Sequence, residues 1–112
     1  MARIGTIVWH VRDTGRATRF WTQALGYVRR DEESDVLIPA GGAPGPGLVM
    51  EPSDRTHLDL YTDSRAEQLA EVERLVSLGA ARADWTYPDD ADFIVLADTE
   101  GNLFCVVNKG DD

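Results

Sequence analysis

The sequence predicts an α+β fold built from two βαβββ modules, and three observations carry that prediction. Two apolar, alternating stretches that run into an acidic residue stand about fifty positions apart: "TIVWHVRD" from Thr6 to Asp13, and "HLDLYTDS" from His57 to Ser64. Each is followed by a helical pattern that stops at a glycine. After each glycine come three extended segments.

The elements justify themselves in order. In "RATRFWTQALG" the residues Ala17, Phe20, Trp21, Ala24 and Leu25 share one helical stripe, and Gly26 suits the left-handed position past a helix end. The segments "YVRRD", "DVLIPA" and "LVMEP" then read as strands. Between the last two, "GGAPGPG" (Gly41 to Gly47) is expected to be a mobile hairpin tip and not a domain linker. It precedes a strand instead of a helix and lacks a lysine, which argues against a phosphate cradle. In the second half Ser64 and Glu67 have capping-box spacing, Leu69, Val72, Leu75 and Val76 form a second stripe, and Gly79 closes it. "AARADWTY", "DFIVLAD" and "LFCVVN" are the extended segments that follow, with "DTEGN" (Asp98 to Asn102) a tight turn. The expected organisation is one domain over residues 1–112, with module one at about 1–52 and module two at about 53–112.

Composition narrows the function. A chain of 112 residues that is 43% hydrophobic is too strongly patterned to be disordered. A formal charge of −9 argues against a surface that tracks nucleic-acid phosphates or anionic lipid, because both need clustered lysine and arginine. The single cysteine, Cys105, cannot form an internal disulfide and fits a reducing compartment. No leader-like start and no apolar run of membrane-spanning length is seen, so a cytoplasmic location is expected.

Alternation along Thr56 to Ser64 singles out a chemical face. In an extended segment Leu58, Leu60 and Thr62 share one side while His57, Asp59 and Tyr61 share the other. Burying a carboxylate and an imidazole is costly unless they are paired or wetted, so a hydrated pocket is one reading of this face. The other is that Asp59 pairs with a nearby arginine and His57 is a half-buried structural histidine.

The order and spacing of "FWTQALGY", "HLDLYTD" and "LADTEGNLFCVV" resemble the vicinal oxygen chelate superfamily, which includes glyoxalase I, bleomycin resistance proteins and extradiol dioxygenases. The last segment is similar to the closing Asp-Pro-x-Gly-Asn hairpin of that superfamily, with Thr99 in place of proline. Nearly the whole chain takes part, and the compact glyoxalase-like proteins are the nearest match within the group. The resemblance implies a cupped mixed sheet, with each helix packed outside and the inner face lining a ligand cavity. It also implies a homodimer.

In metal-dependent members four cup positions hold a divalent ion. Carried over, these are Thr6, Glu51, His57 and Cys105. A threonine hydroxyl is a weak ligand and a thiol turns the site away from hard ions, which leaves Glu51, His57 and Cys105 as a zinc-like set with an open position. The competing role for Cys105, flanked by Phe104, Val106 and Val107, is plain strand packing.

Without a metal, His57 beside Glu51 or Asp59 is a general base with a carboxylate to fix its tautomer. That suits a lyase or isomerase moving a proton next to a carbonyl, with Tyr61 donating to a carbonyl or enolate oxygen. The alternative is a carrier that sequesters a metabolite or antibiotic in the manner of bleomycin resistance proteins. Trp85 and Tyr87 are candidates for its aromatic wall, whereas Trp9 and Trp21 are assigned to the core and His10 to the rim. The expected partner in either case is a small molecule held by His57, Asp59, Tyr61, Thr6, Trp85 and Tyr87.

Overall fold

The computed structural model describes residues 1–110, and its elements repeat the predicted order twice. β1 (Arg3–His10), α1 (Thr14–Leu25), β2 (Val28–Arg29), β3 (Val36–Ile38) and β4 (Gly47–Glu51) form the first βαβββ module. β5 (His57–Thr62), α2 (Arg65–Ser77), β6 (Ala81–Arg82), β7 (Phe93–Ala97) and β8 (Leu103–Asn108) form the second. The chain divides into two compact units: one is Gly5–Thr56, the other runs from His57 onward and takes in Met1–Ile4. No helix of the described residues is long and apolar enough to cross a membrane.

In the first unit the strand order is β2-β3-β4-β1, with β1 parallel to β4 and the other pairs antiparallel. Asp13 begins α1 by accepting the Arg16 amide on Oδ1 at 3.0 Å, and Gly26 ends it at φ 69°. Beneath the helix Leu37, Leu48 and Met50 are buried against Ile7, Val11, Ala17, Trp21 and Tyr27. Trp9 and Trp21 meet edge to face at 6.1 Å, but Trp9, expected in the core, is 38% exposed and only Trp21 packs against the buried cluster. Phe20 and Leu25 do not join that core; both are exposed, and Phe20 lies edge-on against Trp21 at the rim of the stripe. In the Gly/Pro connection Gly41 and Gly42 adopt φ of 66° and 71°, and the Tyr27 hydroxyl donates to the Pro46 carbonyl at 2.8 Å. A side chain of the core side thus ties down the segment that the composition marks as a mobile tip.

In the second unit the order is β5-β8-β7-β6, with β5 parallel to β8 and both other pairs antiparallel. Ser64 caps α2 by accepting the Glu67 amide at 3.0 Å, while the Glu67 carboxylate reaches back to the Asp63 amide, one residue before its usual capping-box partner. The core is Val72, Leu96 and Val106, packed by Leu75, Ala80, Ile94 and Phe104. Leu58 is exposed and lies outside this core, which is centred on β7 and β8. β6 is only two residues long, so Trp85 and Tyr87 fall in the connection after it instead of on a strand. In the turn after β7, Asp98 Oδ1 accepts the Glu100 and Asn102 amides at 2.9 Å each, and Gly101 takes φ 83°. These bonds, the Asn102 amide first, hold the Asp98 carboxyl below its ordinary value.

The buried stripe of α2 differs from the predicted one by about a residue. Gln68, Glu71 and Val72 are buried, whereas Leu69 and Val76 are exposed. The reason is hydrogen bonding: Gln68, fully buried, donates from Nε2 to the carbonyls of Asp92 (3.0 Å) and Val106 (2.9 Å), and its Oε1 accepts from Arg65 at 2.9 Å. Glu71 is held by Arg74 Nε at 2.5 Å and by the Ala2 amide. The Arg74 guanidinium, more than any other group, keeps the Glu71 carboxyl below its ordinary value.

Replacing Gln68 with leucine should lower stability by about 1–3 kcal/mol, because a fully buried side chain loses the bonds that tie α2 to the Asp92 and Val106 carbonyls; urea denaturation measures it. E71Q should cost about 1–2 kcal/mol at neutral pH, a modest figure because Arg74 is partly exposed. A carboxyl whose folded-state pKa is depressed contributes its stability above the ordinary value of 4.5, and that contribution fades as pH falls through the folded value. The difference between wild type and E71Q should therefore shrink on acidification below about 4.5, in melts recorded across pH.

Candidate active site

The chemical face of the second unit is set by β5, β8 and β7 together. Asp59 pairs in register with Cys105, and Cys105 with Val95, so the alternation of one strand carries across three. His57, Asp59 and Tyr61 therefore share a side with Cys105, Val107, Val95 and Phe93. Leu96 and Val106, which pack under α2, point the other way. The face with the imidazole and carboxylate is thus the one that α2 leaves uncovered.

His57 Nδ1 stands 3.2 Å from Asp59 Oδ1, with the two side chains 13% and 22% exposed. Asp59 is thus paired to His57 itself. The donor atoms of His57, Asp59 and Cys105 all lie within 4.8 Å of one another. At the far end of the strand Tyr61 has two cations over its ring, Lys109 Nζ at 5.1 Å and the Arg3 guanidinium at 5.9 Å. Arg3 is in turn held by Asp63 at 3.1 Å.

Thr6 is buried on the side of β1 opposite α1, in register with Gly47. Glu51 ends β4, in register with His10, and its carboxylate is taken up by its own turn. The Ser53 amide and hydroxyl donate to Glu51 Oε1 at 2.9 and 2.7 Å, and the amide chiefly holds the carboxyl below its ordinary value. His10 Nδ1 lies 2.8 Å from the Asp54 carbonyl. Trp85 is exposed on the connection after β6. Tyr87 packs on Phe93 at 5.5 Å between centroids, and its oxygen accepts the Val95 amide at 2.8 Å.

One pairing on the face and one of its members escape a reading by sequence. Asp59 as a neighbour of Cys105 depends on the parallel register of the first and last strands of the module, which no local pattern reveals. Lys109 follows β8 and is the one lysine of the chain; its rarity in so acidic a sequence was the available signal.

The profile of a family described as "Glyoxalase-like domain" matches residues 6–107. The chain belongs to the glyoxalase-like domain family. This places it in the vicinal oxygen chelate superfamily. Among solved structures, a glyoxalase/bleomycin resistance protein/dioxygenase superfamily member from Vibrio splendidus 12B01 is similar with a TM-score of 0.60 at 13% identity, covering 97% of this chain and 100% of that one. A Legionella pneumophila protein described as an NAD-dependent benzaldehyde dehydrogenase is similar with a TM-score of 0.66 at 10% identity, covering 92% and 96%. Identities this low speak to the fold alone. No curated protein matches the chain.

The glyoxalase-like site can be tested for the divalent ion that its superfamily implies. An imidazole nitrogen, a carboxylate oxygen and a thiol brought within 4.8 Å of one another form a mixed donor set. Such a set fits a borderline ion such as zinc and disfavours a hard one. Asp59 supplies the carboxylate in this trio. Titration with cobalt(II), a spectroscopic stand-in for zinc, should produce a sulfur-to-cobalt charge-transfer band that C105S lacks and D59N weakens. Absence of that band in the wild type rules out the thiol as a ligand.

Proposed function

We propose that this glyoxalase-like protein binds a small carbonyl compound on the His57 face and moves a proton next to the carbonyl, as lyases and isomerases do. The observation that carries the proposal is the 3.2 Å approach of His57 Nδ1 to Asp59 Oδ1 on the side of the sheet that α2 leaves open. The two atoms stand at ion-pair distance; a small turn of the ring that lets Nδ1–H donate to Asp59 would leave the Nε2 lone pair as the basic site, with the carboxylate beside the imidazolium formed when Nε2 takes a proton. Asp59 fills the orienting role for which Glu51 was the other candidate. A divalent ion held by His57, Asp59 and Cys105 would take up the imidazole lone pair, so it would polarise a carbonyl in place of the base role of His57 and not beside it.

Strand geometry assigns Tyr61 a different task from His57. Four residues of extended chain span about 13 Å, so a group touching His57 Nε2 does not also touch the Tyr61 hydroxyl in a small molecule. Tyr61, with Lys109 and Arg3 over its ring, suits the distal end of the ligand, where positive charge favours an anionic substituent. Thr6, Trp85 and Tyr87 are given no step in the proton transfer.

Hydrogen exchange tests the assignment across a whole class of compounds at once. In deuterium oxide, proton NMR on a panel of 2-oxo and 2-hydroxy carbonyl compounds should show at least one whose C–H beside the carbonyl exchanges about a hundredfold faster or more with the wild type. H57A, shown to be folded by circular dichroism, should lose that acceleration, and D59N should lose about tenfold or more. If native mass spectrometry finds a ligand whose binding depends on His57 while no exchange occurs, the protein is a carrier and the catalytic proposal fails.

A further inference from the structure

A concavity lies in the same unit and shares no residue with the His57–Asp59–Cys105 trio. α2, the end of β6, the connection after it and β7 enclose a groove of about 440 Å³, within the range of small-molecule sites. Its lining includes residues from both sides of β7, so it wraps the outer edge of that strand. Leu69 is 43% exposed here because the buried stripe of α2 is rotated toward Gln68, and with Phe93, Pro88 and the Tyr87 ring it gives the groove its apolar wall.

The polar groups of the groove are mostly donors. Arg65 uses Nη1 on Gln68 at 2.9 Å, and Arg82 uses Nη2 on Glu73 at 2.7 Å. Each bond fixes a guanidinium and leaves it other N–H groups to offer. The Tyr87 oxygen already accepts the Val95 amide at 2.8 Å, which leaves the phenolic hydrogen to donate elsewhere. Asp89 is the one acidic residue among the described residues that line the groove. Glu73, outside the lining, pairs with Arg82, whereas Arg65 is bonded to a neutral amide and keeps its positive charge for the groove in a chain of 20 acidic and 11 basic side chains. Stem and head of an amphipathic anion both find their complement: apolar wall for the body, guanidinium pair and phenol for the oxygens.

We propose that this groove binds an aliphatic or aromatic monocarboxylate, with the apolar body on Leu69 and Phe93 and the carboxylate toward Arg65 and Arg82. The site goes beyond the proton-transfer reading and does not depend on it. Its selectivity is for the charged head: the alcohol of equal chain length offers the same apolar body and no partner for the guanidiniums.

Octanoate and octanol are the matched probes, titrated into the full chain by calorimetry and by amide NMR shift mapping. Octanoate is expected to bind about tenfold or more tightly than octanol, to shift the amides of Leu69, Arg82, Ala91 and Phe93, and to weaken as salt is raised. R65Q and R82Q should each reduce octanoate affinity about tenfold while leaving octanol unchanged. L69D, on an exposed helix position that the fold does not need, should abolish octanoate binding. Equal affinity for the two probes, wild-type affinity in R65Q and L69D, or shifts confined to His57, Asp59 and Cys105 would each overturn the assignment. Loss of exchange activity in H57A with octanoate binding intact separates the failure of one proposal from that of the other.

Discussion

Parallel pairing of β5 with β8 is the constraint on which the rest of the second unit depends. The two strands are far apart in sequence and meet only because α2 crosses over and the chain returns through β6 and β7. Once Asp59 is opposite Cys105, every neighbour on either side of the sheet is decided. Imidazole, carboxylate, phenol and thiol are gathered on one surface, and Leu96 and Val106 are left for the helix. Thr62 secures the end of this pairing by donating its buried hydroxyl to the Val107 carbonyl at 2.8 Å.

What the sequence makes legible is local, and what it hides is long-range. Alternation needs only the next residue, so the shared face of His57, Asp59 and Tyr61 could be read directly. The glycine and serine punctuation of the helices is equally short in reach, and Gly26, Ser64 and Asp13 act as helix ends in the structure. The carboxylate partner of His57 is less accessible, because choosing between Glu51 and Asp59 requires knowing which hydrogen bonds each already makes. Glu51 Oε1 accepts from Ser53, and Asp59 Oδ1 stands 3.2 Å from the ring two residues away. The connection holding Trp85 and Tyr87 looked extended from its composition, yet β6 ends at Arg82. There the Tyr87 phenol, in place of a backbone group, meets the Val95 amide.

The helix α2 shows how hydrogen bonding can outrank hydrophobicity in choosing a buried face. A leucine and a valine at helical spacing would normally define the inner stripe. The sheet end beneath α2 offers the Asp92 and Val106 carbonyls, and Gln68 answers them from a fully buried position. The Asp92 carbonyl also accepts the Asn108 amide at 2.8 Å, so Gln68 adds a second bond there and one to Val106, and these tie the helix to the sheet end with its amide inward. One result is the exposed Leu69 that walls the groove beside Arg65.

The turn from Asp98 to Asn102 has a bearing on chemistry that its surface position disguises. Its carboxylate, by gripping two amides of the turn, fixes how many residues separate β7 from β8. One residue more or fewer would slide β8 past its neighbours by a single step and exchange its two sides. Sulfur would then sit in the oily layer under the helix, and an isopropyl or phenyl group would confront the imidazole. Length in this short connector is therefore as much a part of the reactive surface as the side chains that form it.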